Sequence, residues 1–511
     1  MNMMHEGITA AWALLVLVFM LVCIVRLFAE NSASGIASPQ SKSHPGLGIT
    51  ACFRRFMQSM MASPRLLLAG KLFCVALFLL VIATGLYGTP IPERNLAPVL
   101  TWTLWWTLLI FSILFFGSGW CAVCPWDALA TWLVRWRLWR RGSGRGSLNL
   151  RLPVKLRTIW AAVIMLIGLS WLELGLGITL DPYATACMAL LILFLAVAFQ
   201  ALFERKAFCR YVCPVGRTIG FYALLVPAEL KPRKQSVCDG CKTLECNRGT
   251  SDIAPCPTSL VMGRMSQSSY CVSCGNCVQS CPNGNIEWGS RRFAVLDRYQ
   301  LQPSEACFML ALLAMTSLHG LSMTARWDVW ISAMASMIGD SGMLLGTFSL
   351  GLAVSIIVPL LLYGAAVFLM LRLQPTLSFG ALFSGMAYAV LPLAFAYHLA
   401  HNLVHLLREV ASIRDVVLNP FGEGALPLSM MEKHMRMSSL PIPEWLLFSL
   451  QAGLMMFGFW VALRILQQRM EVLQSGNLSR QRRVMWPMVC FIVIASGFNL
   501  WLLTQPMIMR M

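Results

Sequence analysis

Charged residues are scarce in this chain of 511 residues, since only 12% are Asp, Glu, Lys or Arg whereas 58% are hydrophobic. Soluble globular domains carry about 25% charged residues, so the composition excludes an ordinary soluble fold. Acidic residues are especially few, with 22 Asp and Glu against 40 Lys and Arg. The net charge of +18 would suit nucleic-acid binding in a soluble protein. The sequence has no nucleic-acid-binding module, however, and low-complexity segments are also missing.

Long hydrophobic runs explain the shortage of charge. Several approach the roughly 20 apolar residues that cross a bilayer, and they predict a polytopic α-helical membrane protein with about ten spans. The first run is too long for a removable signal peptide and lacks a small-residue cleavage site. The segment 329–342 suits an interfacial helix. The predicted spans lie near 9–28, 66–87, 98–117, 157–177, 184–203, 305–323, 343–371, 378–407, 444–466 and 484–504.

The basic residues predict the orientation of these spans. They concentrate in the loops 118–156 and 467–483 and in the segment 205–217. The positive-inside rule assigns all three to the cytoplasm. Ten spans then leave both termini outside, and the region 204–304 lies in the cytoplasm of a bacterial cell with the helices in its inner membrane. The basic excess is therefore interpreted as a topology signal with some attraction to lipid.

The spacing of the cysteines predicts a metal-binding function. Eight of the eighteen cysteines form two consecutive runs, C-x2-C-x4-C-x9-C-P and C-x2-C-x2-C-x3-C-P. The second spacing is typical of a cubane iron–sulfur cluster whose fourth cysteine binds a neighbouring cluster. The alternative, a pair of zinc ribbons, normally uses two CxxC pairs, and a reducing cytoplasm disfavours structural disulfides. The predicted ligands are Cys238, Cys241, Cys246 and Cys281 for one [4Fe–4S] cluster and Cys271, Cys274, Cys277 and Cys256 for the other.

The chain therefore divides into three predicted regions. Residues 1–203 form an N-terminal membrane region, and residues 204–304 form an inserted bacterial-type two-cluster ferredoxin, called the ferredoxin segment below. Residues 305–511 form a C-terminal membrane region with a histidine-rich helix. The composition of 30–50 and 141–147, rich in Ser and Gly, predicts flexible joints.

Two further cysteine pairs follow predicted spans and end in Val-Cys-Pro. One reads Cys121-Ala-Val-Cys124-Pro, and the other reads Cys209-Arg-Tyr-Val-Cys213-Pro. Membrane spans, twin cysteine–proline motifs and a following two-cluster ferredoxin together resemble the membrane polyferredoxins, the superfamily of the NapH, NosR and CcoG/FixG/RdxA proteins. The resemblance covers about residues 66–300. It implies cytoplasm-facing [4Fe–4S] clusters that exchange single electrons with a partner in or beyond the membrane.

The chain departs from that pattern in three respects. Its first cysteine pair is C-x2-C-P, one residue shorter than the family motif, and it lacks the outer flavin-binding domain of NosR-like members. Residues 305–511 extend beyond the resemblance. The two shorter motifs, Cys121 with Cys124 and Cys209 with Cys213, suit a third metal centre or a redox-active dithiol pair, since four thiolates bind iron–sulfur clusters or zinc.

The alternative is that these four are helix-end residues whose prolines break the chain. The remaining cysteines lie mostly in apolar runs, where free cysteine behaves as a small hydrophobe. They are assigned no role: Cys23, Cys52, Cys74, Cys187, Cys307 and Cys490.

Histidine is scarce, with seven in the chain, and three of them lie close together at the end of the eighth span. His398, His401 and His405 fall within about 60° of one another on a helix and share a face. His319 lies near the outer end of the sixth span, beside Gly320. Two histidines from facing helices suit a haem b or a bound copper or iron. The alternative is that they hydrogen-bond between helices or lie at the headgroup level.

The loop 408–442 offers further metal-binding side chains. Thioether and imidazole groups suit cuprous copper, and carboxylates suit iron. Methionine is common throughout the chain, with 31 residues, so the loop is a weaker candidate. Its candidate ligands are Glu409, Asp415, Glu423, Met430, Met431, Glu432, His434, Met435 and Met437.

These patterns predict a membrane electron conduit of oxidoreductase type. A cytoplasmic donor would reduce the two clusters, and electrons would pass the paired Cys-Pro motifs to a quinone, a haem or a periplasmic acceptor or partner. The reverse direction, from quinol to the clusters, is equally compatible. Ferric or cupric reduction for metal uptake or oxidase maturation is one such role. The alternative is a metal transporter or scaffold whose ferredoxin senses redox state or iron.

Overall fold

Helices dominate the computed structural model, which describes residues 4–29, 48–135, 146–289, 301–438, 440–473 and 478–508. The predicted joints at 30–50 and 141–147 lie largely outside these residues. In chain order the elements are β1 (Met4–His5), α1 (Ala10–Ala29), α2 (Gly48–Ala62), α3 (Pro64–Tyr87), α4 (Leu96–Phe116), α5 (Pro125–Arg135), α6 (Trp160–Gly175), α7 (Pro182–Leu202), α8 (Pro214–Tyr222), β2 (Glu229–Pro232), α9 (Gln235–Asp239), α10 (Glu245–Arg248), α11 (Asn276–Ser280), β3 (Ile286–Gly289), α12 (Pro303–Ser322), α13 (Ala325–Ile338), α14 (Leu345–Leu373), α15 (Phe379–Met386), α16 (Leu391–Leu418), α17 (Met430–Ser438), α18 (Glu444–Leu473), α19 (Leu478–Thr504) and β4 (Met507–Ile508).

Nine of these helices in the described residues are long and apolar enough to cross a membrane, counting α15 with α16 as one. They are α1, α3, α4, α7, α12, α14, α15–α16, α18 and α19. The fourth predicted span corresponds to α6, which has 16 residues and is therefore about 24 Å long. The eighth predicted span is interrupted by a 3₁₀ turn at Ala387–Ala389 and continues to Leu418, beyond its expected end.

Helix α12 connects two faces of the bundle. In its first turn, Glu305 accepts a hydrogen bond of 2.6 Å from the hydroxyl of Tyr270. Just beyond its last turn, Thr324 forms a β-bridge with Met507 in β4. A helix of 20 residues is about 30 Å long, which equals the thickness of the hydrocarbon core. We call the end at Tyr270 the ferredoxin face and the end at β4 the distal face.

Both described chain ends lie at the distal face, because β1 pairs antiparallel with β4. Ends at one face require an even number of traverses, so nine are not enough. Helix α6 begins at the ferredoxin face, where Leu148 and Leu150 bond to the last residues of α7. It ends at the distal face, where Trp171 donates a hydrogen bond of 2.9 Å to Ser349 in α14. Helix α6 therefore supplies the tenth traverse of the bundle.

Polar caps and prolines start several of the long helices. Asp181 accepts a hydrogen bond from the backbone of Ala184, and Pro182 follows as the first residue of α7. Gln302 and Glu305 form a capping box around Pro303 at the start of α12. Such caps satisfy the unpaired N–H groups of the first turn, and proline at the first position loses no hydrogen bond there.

The interior of the bundle is formed chiefly by α12 and α16, whose side chains are largely buried. The outer helices instead expose large apolar side chains, among them Leu14 on α1, Phe73 on α3 and Leu361 on α14. Exposed apolar area on this scale marks a surface made for contact with lipid or another protein. The observed burial is therefore consistent with a multi-pass membrane protein.

Helix α2 was not among the predicted elements, and it joins the N-terminal region to the ferredoxin segment. The side chain of Gln58 accepts a hydrogen bond of 2.6 Å from the backbone of Trp288 in β3. Met57 and Met61 on the same helix are buried against the β2–β3 pair and α11. The segment therefore rests on α2 as well as on the ends of the membrane helices.

Candidate iron–sulfur site

The first predicted cluster set lines one cavity of about 30 Å³. Cys238 lies on α9, Cys246 lies on α10, and Cys241 lies between these short helices. Cys281, which follows α11, completes the wall of the same cavity. The structure thus brings together four cysteines that are up to 43 positions apart, as the spacing predicts.

Amide N–H groups point at several of the sulfur atoms. The backbone N–H of Asn285 lies 3.4 Å from Sγ of Cys281, and its side-chain amide lies 3.4 Å from Sγ of Cys238. The backbone N–H of Leu260 lies 3.3 Å from Sγ of Cys256. Hydrogen bonds to cysteine sulfurs stabilise the negative charge of a bound cluster and help to set its potential. Asn285 is not among the predicted site residues, although it follows Cys281 within a turn.

The second predicted set lies between the first set and the membrane helices. The thiol of Cys277 interacts electrostatically with those of Cys271, Cys274 and Cys256, and with Cys246 of the first set. Burial raises the pKa of Cys271 to about 12. Such a thiol remains protonated in the metal-free protein, whereas coordination to a metal removes the proton.

The described cysteine side chains are not positioned to hold a single metal ion. A zinc ion holds its sulfur ligands at about 2.3 Å. Among the described residues, no group of three or more His, Cys, Asp or Glu side chains is close enough to hold a single metal ion. A cluster of several irons spans thiols that are more widely separated than the ligands of a single metal ion.

The two Cys-Pro motifs meet beside the second cysteine set. We call their four residues the CP cysteines: Cys121, Cys124, Cys209 and Cys213. Cys121 and Cys124 lie in the turn between α4 and α5. Cys209 belongs to a π-helical turn, Phe208–Val212, and Cys213 caps α8 by accepting a hydrogen bond of 3.3 Å from the backbone of Gly216. The hydroxyl groups of Ser118 and Ser273 are 2.7 Å apart and connect the two sets.

A buried ion pair lies at the CP cysteines. Asp127 in the first turn of α5 pairs with Lys206, and both side chains are largely buried. Sγ of Cys209 lies 3.9 Å from the same carboxylate. The ammonium group of Lys206 also interacts electrostatically with Cys209 and Cys274, so it lies between the two sets. This pair is not among the residues that the sequence predicts, although a carboxylate three residues after Cys124 in an apolar chain is a signal of function.

Helix α8 leads from the CP cysteines into the bundle. Eight of its nine residues are buried, and Val215 is the exception. At its far end the hydroxyl of Tyr222 lies 3.4 Å from Nδ1 of His398 in α16. The ring of Trp106 in α4 lies 5.8 Å from the same imidazole. One short helix therefore links Cys213 to the first of the predicted histidines.

Three of the four predicted histidines, His319, His398 and His401, line a cavity of about 50 Å³, called the distal cavity below. His398, His401 and His405 are all buried. Nε2 of His401 lies 3.2 Å from Nε2 of His405. Across from them, Nδ1 of His319 lies 3.5 Å from a carboxylate oxygen of Glu173 on α6. A second cavity of about 150 Å³ shares Glu173 and His319 with the first and extends to residues of the distal face.

The distal cavity does not fit a haem between its histidines. A space of about 50 Å³ holds a few water molecules, not a porphyrin. The rings of His319 and His401 are in direct edge-to-face contact, with centroids 5.2 Å apart. A macrocycle between the two rings would need them on opposite sides of its plane. The prediction of a haem or metal at these histidines therefore finds no support in the described geometry, which has hydrogen-bonded pairs instead.

The acidic residues of the loop 408–442 hold the distal face together. Arg94 pairs with Glu432 at 3.1 Å and with Asp415 at 3.6 Å, and Arg436 pairs with Asp415 at 2.8 Å. Asp415 and Glu432 therefore take part in ion pairs, and copper or iron binding by the loop stays a prediction. Glu423 is exposed and bonds through its backbone to Asn419. The side chains of Glu409 and Met437 lie outside the described residues.

Comparison with known proteins supports the iron–sulfur interpretation. The family described as a 4Fe-4S binding domain matches residues 267–287, which contain Cys271, Cys274, Cys277 and Cys281. A protein of Escherichia coli strain K12 named "Putative electron transport protein YccM" is 30% identical over 105 residues, which are 20% of this chain and 27% of that protein. The chain therefore carries a segment that indicates a [4Fe–4S] cluster, and part of it is similar to a protein named for electron transport.

A second relative comes from Methanocaldococcus jannaschii and is named "Uncharacterized protein MJ0749". It is 29% identical over 128 residues, which are 25% of this chain and 46% of that protein. The chain thus matches less than half of the length of each of these relatives. No solved structure matches the chain.

Proposed function

We propose that this chain is a membrane-bound iron–sulfur protein that transfers single electrons between the ferredoxin segment and a redox carrier at the distal cavity. One observation carries the proposal. The second cysteine set, the CP cysteines and the histidines form a continuous series of contacts, from the Ser118–Ser273 hydrogen bond to the Tyr222–His398 contact at 3.4 Å. Similarity to a protein named for electron transport agrees with this role.

The eight cysteines of the ferredoxin segment would hold two [4Fe–4S] clusters, which supply one-electron oxidation and reduction when bound. The first set lies beside an exposed surface that includes Asp239 and Lys242, where a soluble donor would dock. The second set lies against the membrane helices. This arrangement suits a cytoplasmic donor at one face and a carrier in or beyond a bacterial inner membrane at the other.

A quinone is the carrier that suits this end of the bundle best, with its ring in the second cavity of about 150 Å³ that adjoins the distal cavity. Trp106, Leu174 and Met323 provide apolar walls there, and His319 with Glu173, which line both cavities, provides polar groups. Reduction of a quinone takes up two protons with two electrons, and oxidation of a quinol releases them. The second cavity extends from the His319–Glu173 pair toward the distal face, so these side chains are positioned to exchange such protons. The direction of transfer follows from the potentials of the donor and carrier.

The first test measures the clusters themselves. We expect full-length protein purified without oxygen to contain acid-labile sulfide and at least about eight iron atoms per chain, with clusters that dithionite reduces. Cys274→Ala should remove one ferredoxin cluster. Cys187→Ala is the matched control, because Cys187 is exposed on α7 away from these sets. Bound zinc without sulfide would refute the iron–sulfur role.

The second test measures electron transfer to the cavity. Protein in liposomes is reduced with dithionite, and a short-chain ubiquinone analogue is added while cluster absorbance is followed. We expect His319→Gln and Glu173→Gln to slow reoxidation at least tenfold without changing iron content. His434→Gln is the control, because His434 is exposed on α17. Metal uptake that survives Cys274→Ala, with no quinone dependence, would instead favour a metal transporter.

A further inference from the structure

Arg217 is a buried positive charge that no described side chain neutralises through a hydrogen bond. It lies on α8, one turn after Cys213, and is 1% exposed. Its nitrogens Nε, Nη1 and Nη2 have no hydrogen-bond partner among the described residues. The guanidinium stacks on the ring of Tyr270, 4.5 Å from its centroid. A buried charge is tolerated when an opposite charge accompanies it, so the site calls for an anion.

Two thiols lie near enough to this guanidinium to interact with its charge. Arg217 interacts electrostatically with Cys121 and with Cys213. The same kind of interaction connects Cys124 with both of these thiols and with Cys209. Four cysteines from two separate Cys-Pro motifs therefore converge beside one unneutralised arginine. Lys206, which also lies beside these thiols, already has Asp127 as its partner.

We propose that the four CP cysteines bind a third iron–sulfur cluster, and that Arg217 neutralises its negative charge. A cluster held by four thiolates is an anion, and its potential depends on net charge and on hydrogen bonds to its sulfurs. The guanidinium of arginine has a positive charge and five N–H donors in a planar fork. It could therefore both neutralise such an anion and donate hydrogen bonds to its sulfurs. The backbone N–H of Gly216, which lies 3.3 Å from Sγ of Cys213, supplies a further donor.

The test below separates the cluster from two other occupants. A single zinc ion held by the four thiolates would bring zinc without acid-labile sulfide. A disulfide pair is neutral, so it would leave Arg217 without an opposite charge. All four CP cysteines are free thiols in the structure.

The inferred cluster lies between the ferredoxin segment and the distal cavity. Cys121 interacts electrostatically with Cys271 of the second set, and Tyr270, which stacks on Arg217, directly precedes that cysteine. On the other side, α8 reaches Tyr222 and His398. This inference rests on the proposed function, since it adds an intermediate site to the same electron path.

The test counts iron and sulfide in full-length protein purified without oxygen. Three cubane clusters contain about twelve iron atoms per chain, and two contain about eight. We expect Cys124→Ser and Cys209→Ser each to lose about one third of the iron and sulfide and to keep the EPR signals of both ferredoxin clusters. Cys187→Ser should match the wild type.

Arg217 is tested through the potential of the third cluster. We expect Arg217→Met to lower the midpoint potential of one cluster out of three, or to reduce its occupancy by more than half. Arg217→Lys keeps the positive charge and should retain most of that occupancy. Redox titration followed by EPR reads out this change independently of electron-transfer activity. Equal effects of Lys and Met would contradict a charge role for the arginine.

The outcomes separate the two proposals. Wild-type protein with about eight irons, two reducible ferredoxin clusters and four alkylatable CP cysteines would overturn the third cluster while the proposed function stands. Protein without any acid-labile sulfide would overturn both. An iron content that Cys124→Ser and Cys209→Ser leave unchanged would also overturn the third cluster, even if the wild-type count is high.

Discussion

Gly263 shows how one backbone position controls the first cysteine set. A Cβ atom at this residue would lie 2.4 Å from Cβ of Cys238 and 3.3 Å from its sulfur. We therefore expect Gly263→Ala to displace Cys238 and to remove about four irons, one cubane cluster. Gly240→Ala is the matched control, since its nearest neighbour would be 3.7 Å away. Iron counts and EPR spectra of both variants check the prediction, and equal spectra would contradict it.

The cysteines of the candidate site could be predicted from the sequence, whereas the acidic and basic residues beside them could not. The cysteine assignments follow from fixed spacing along the chain, and the four cysteines of the first set line one cavity. The partners of His319 and Cys209 could not be predicted, because Glu173 and Asp127 come from distant segments. A signal existed, since both are acidic residues in strongly apolar surroundings, where ionisable groups are usually functional. Arg217, one turn after Cys213, carried the same signal.

Helix α8 has a larger role than its nine residues suggest, because it joins the ferredoxin segment to the bundle. A Cβ atom on Gly220 would lie 2.0 Å from the backbone oxygen of Ser269. We expect Gly220→Ala to destabilise the protein by at least about 2 kcal/mol, the cost typical of overpacking. Gly216→Ala on the same helix meets nothing closer than 3.6 Å and should be tolerated. Thermal unfolding in detergent checks the pair, and similar melting temperatures would refute the docking role.

The elements themselves were predicted unevenly. Long apolar runs specify α1, α3 and α7, because helix length must match the hydrocarbon thickness. Helix α2 was not predicted, because it is amphipathic and has no long apolar run. Its apolar side is buried only by packing against the ferredoxin segment, which the sequence pattern does not reveal. Helix α8 was missed for a similar reason, because a helix of nine residues is not stable alone and forms through its tertiary contacts.

At the scale of the whole molecule, the pairing of β1 with β4 decides the number of traverses. Nine long helices would leave the chain ends at opposite faces of the bundle. The 16 residues of α6 must therefore also run from one face to the other. The same count places the ferredoxin segment and both chain ends at opposite faces of the bundle. The concentration of Lys and Arg at the ferredoxin face predicts that this face is cytoplasmic, although the fold alone is compatible with either orientation.

Epitope tags test this topology in intact cells. One tag follows Met511, and another is inserted in the exposed turn at Ser251–Asp252 of the ferredoxin segment. A third is placed at Leu176–Gly177, in the connection after α6. Because ten traverses place the first and third sites at the distal face, we expect an impermeant antibody to label both after the outer membrane alone is opened. The ferredoxin tag should require permeabilisation of the inner membrane. Labelling of the C-terminal tag without labelling of the tag after α6 would show that α6 does not cross. Labelling of the ferredoxin tag before the inner membrane is permeabilised would reverse the orientation and place the electron donor outside the cytoplasm.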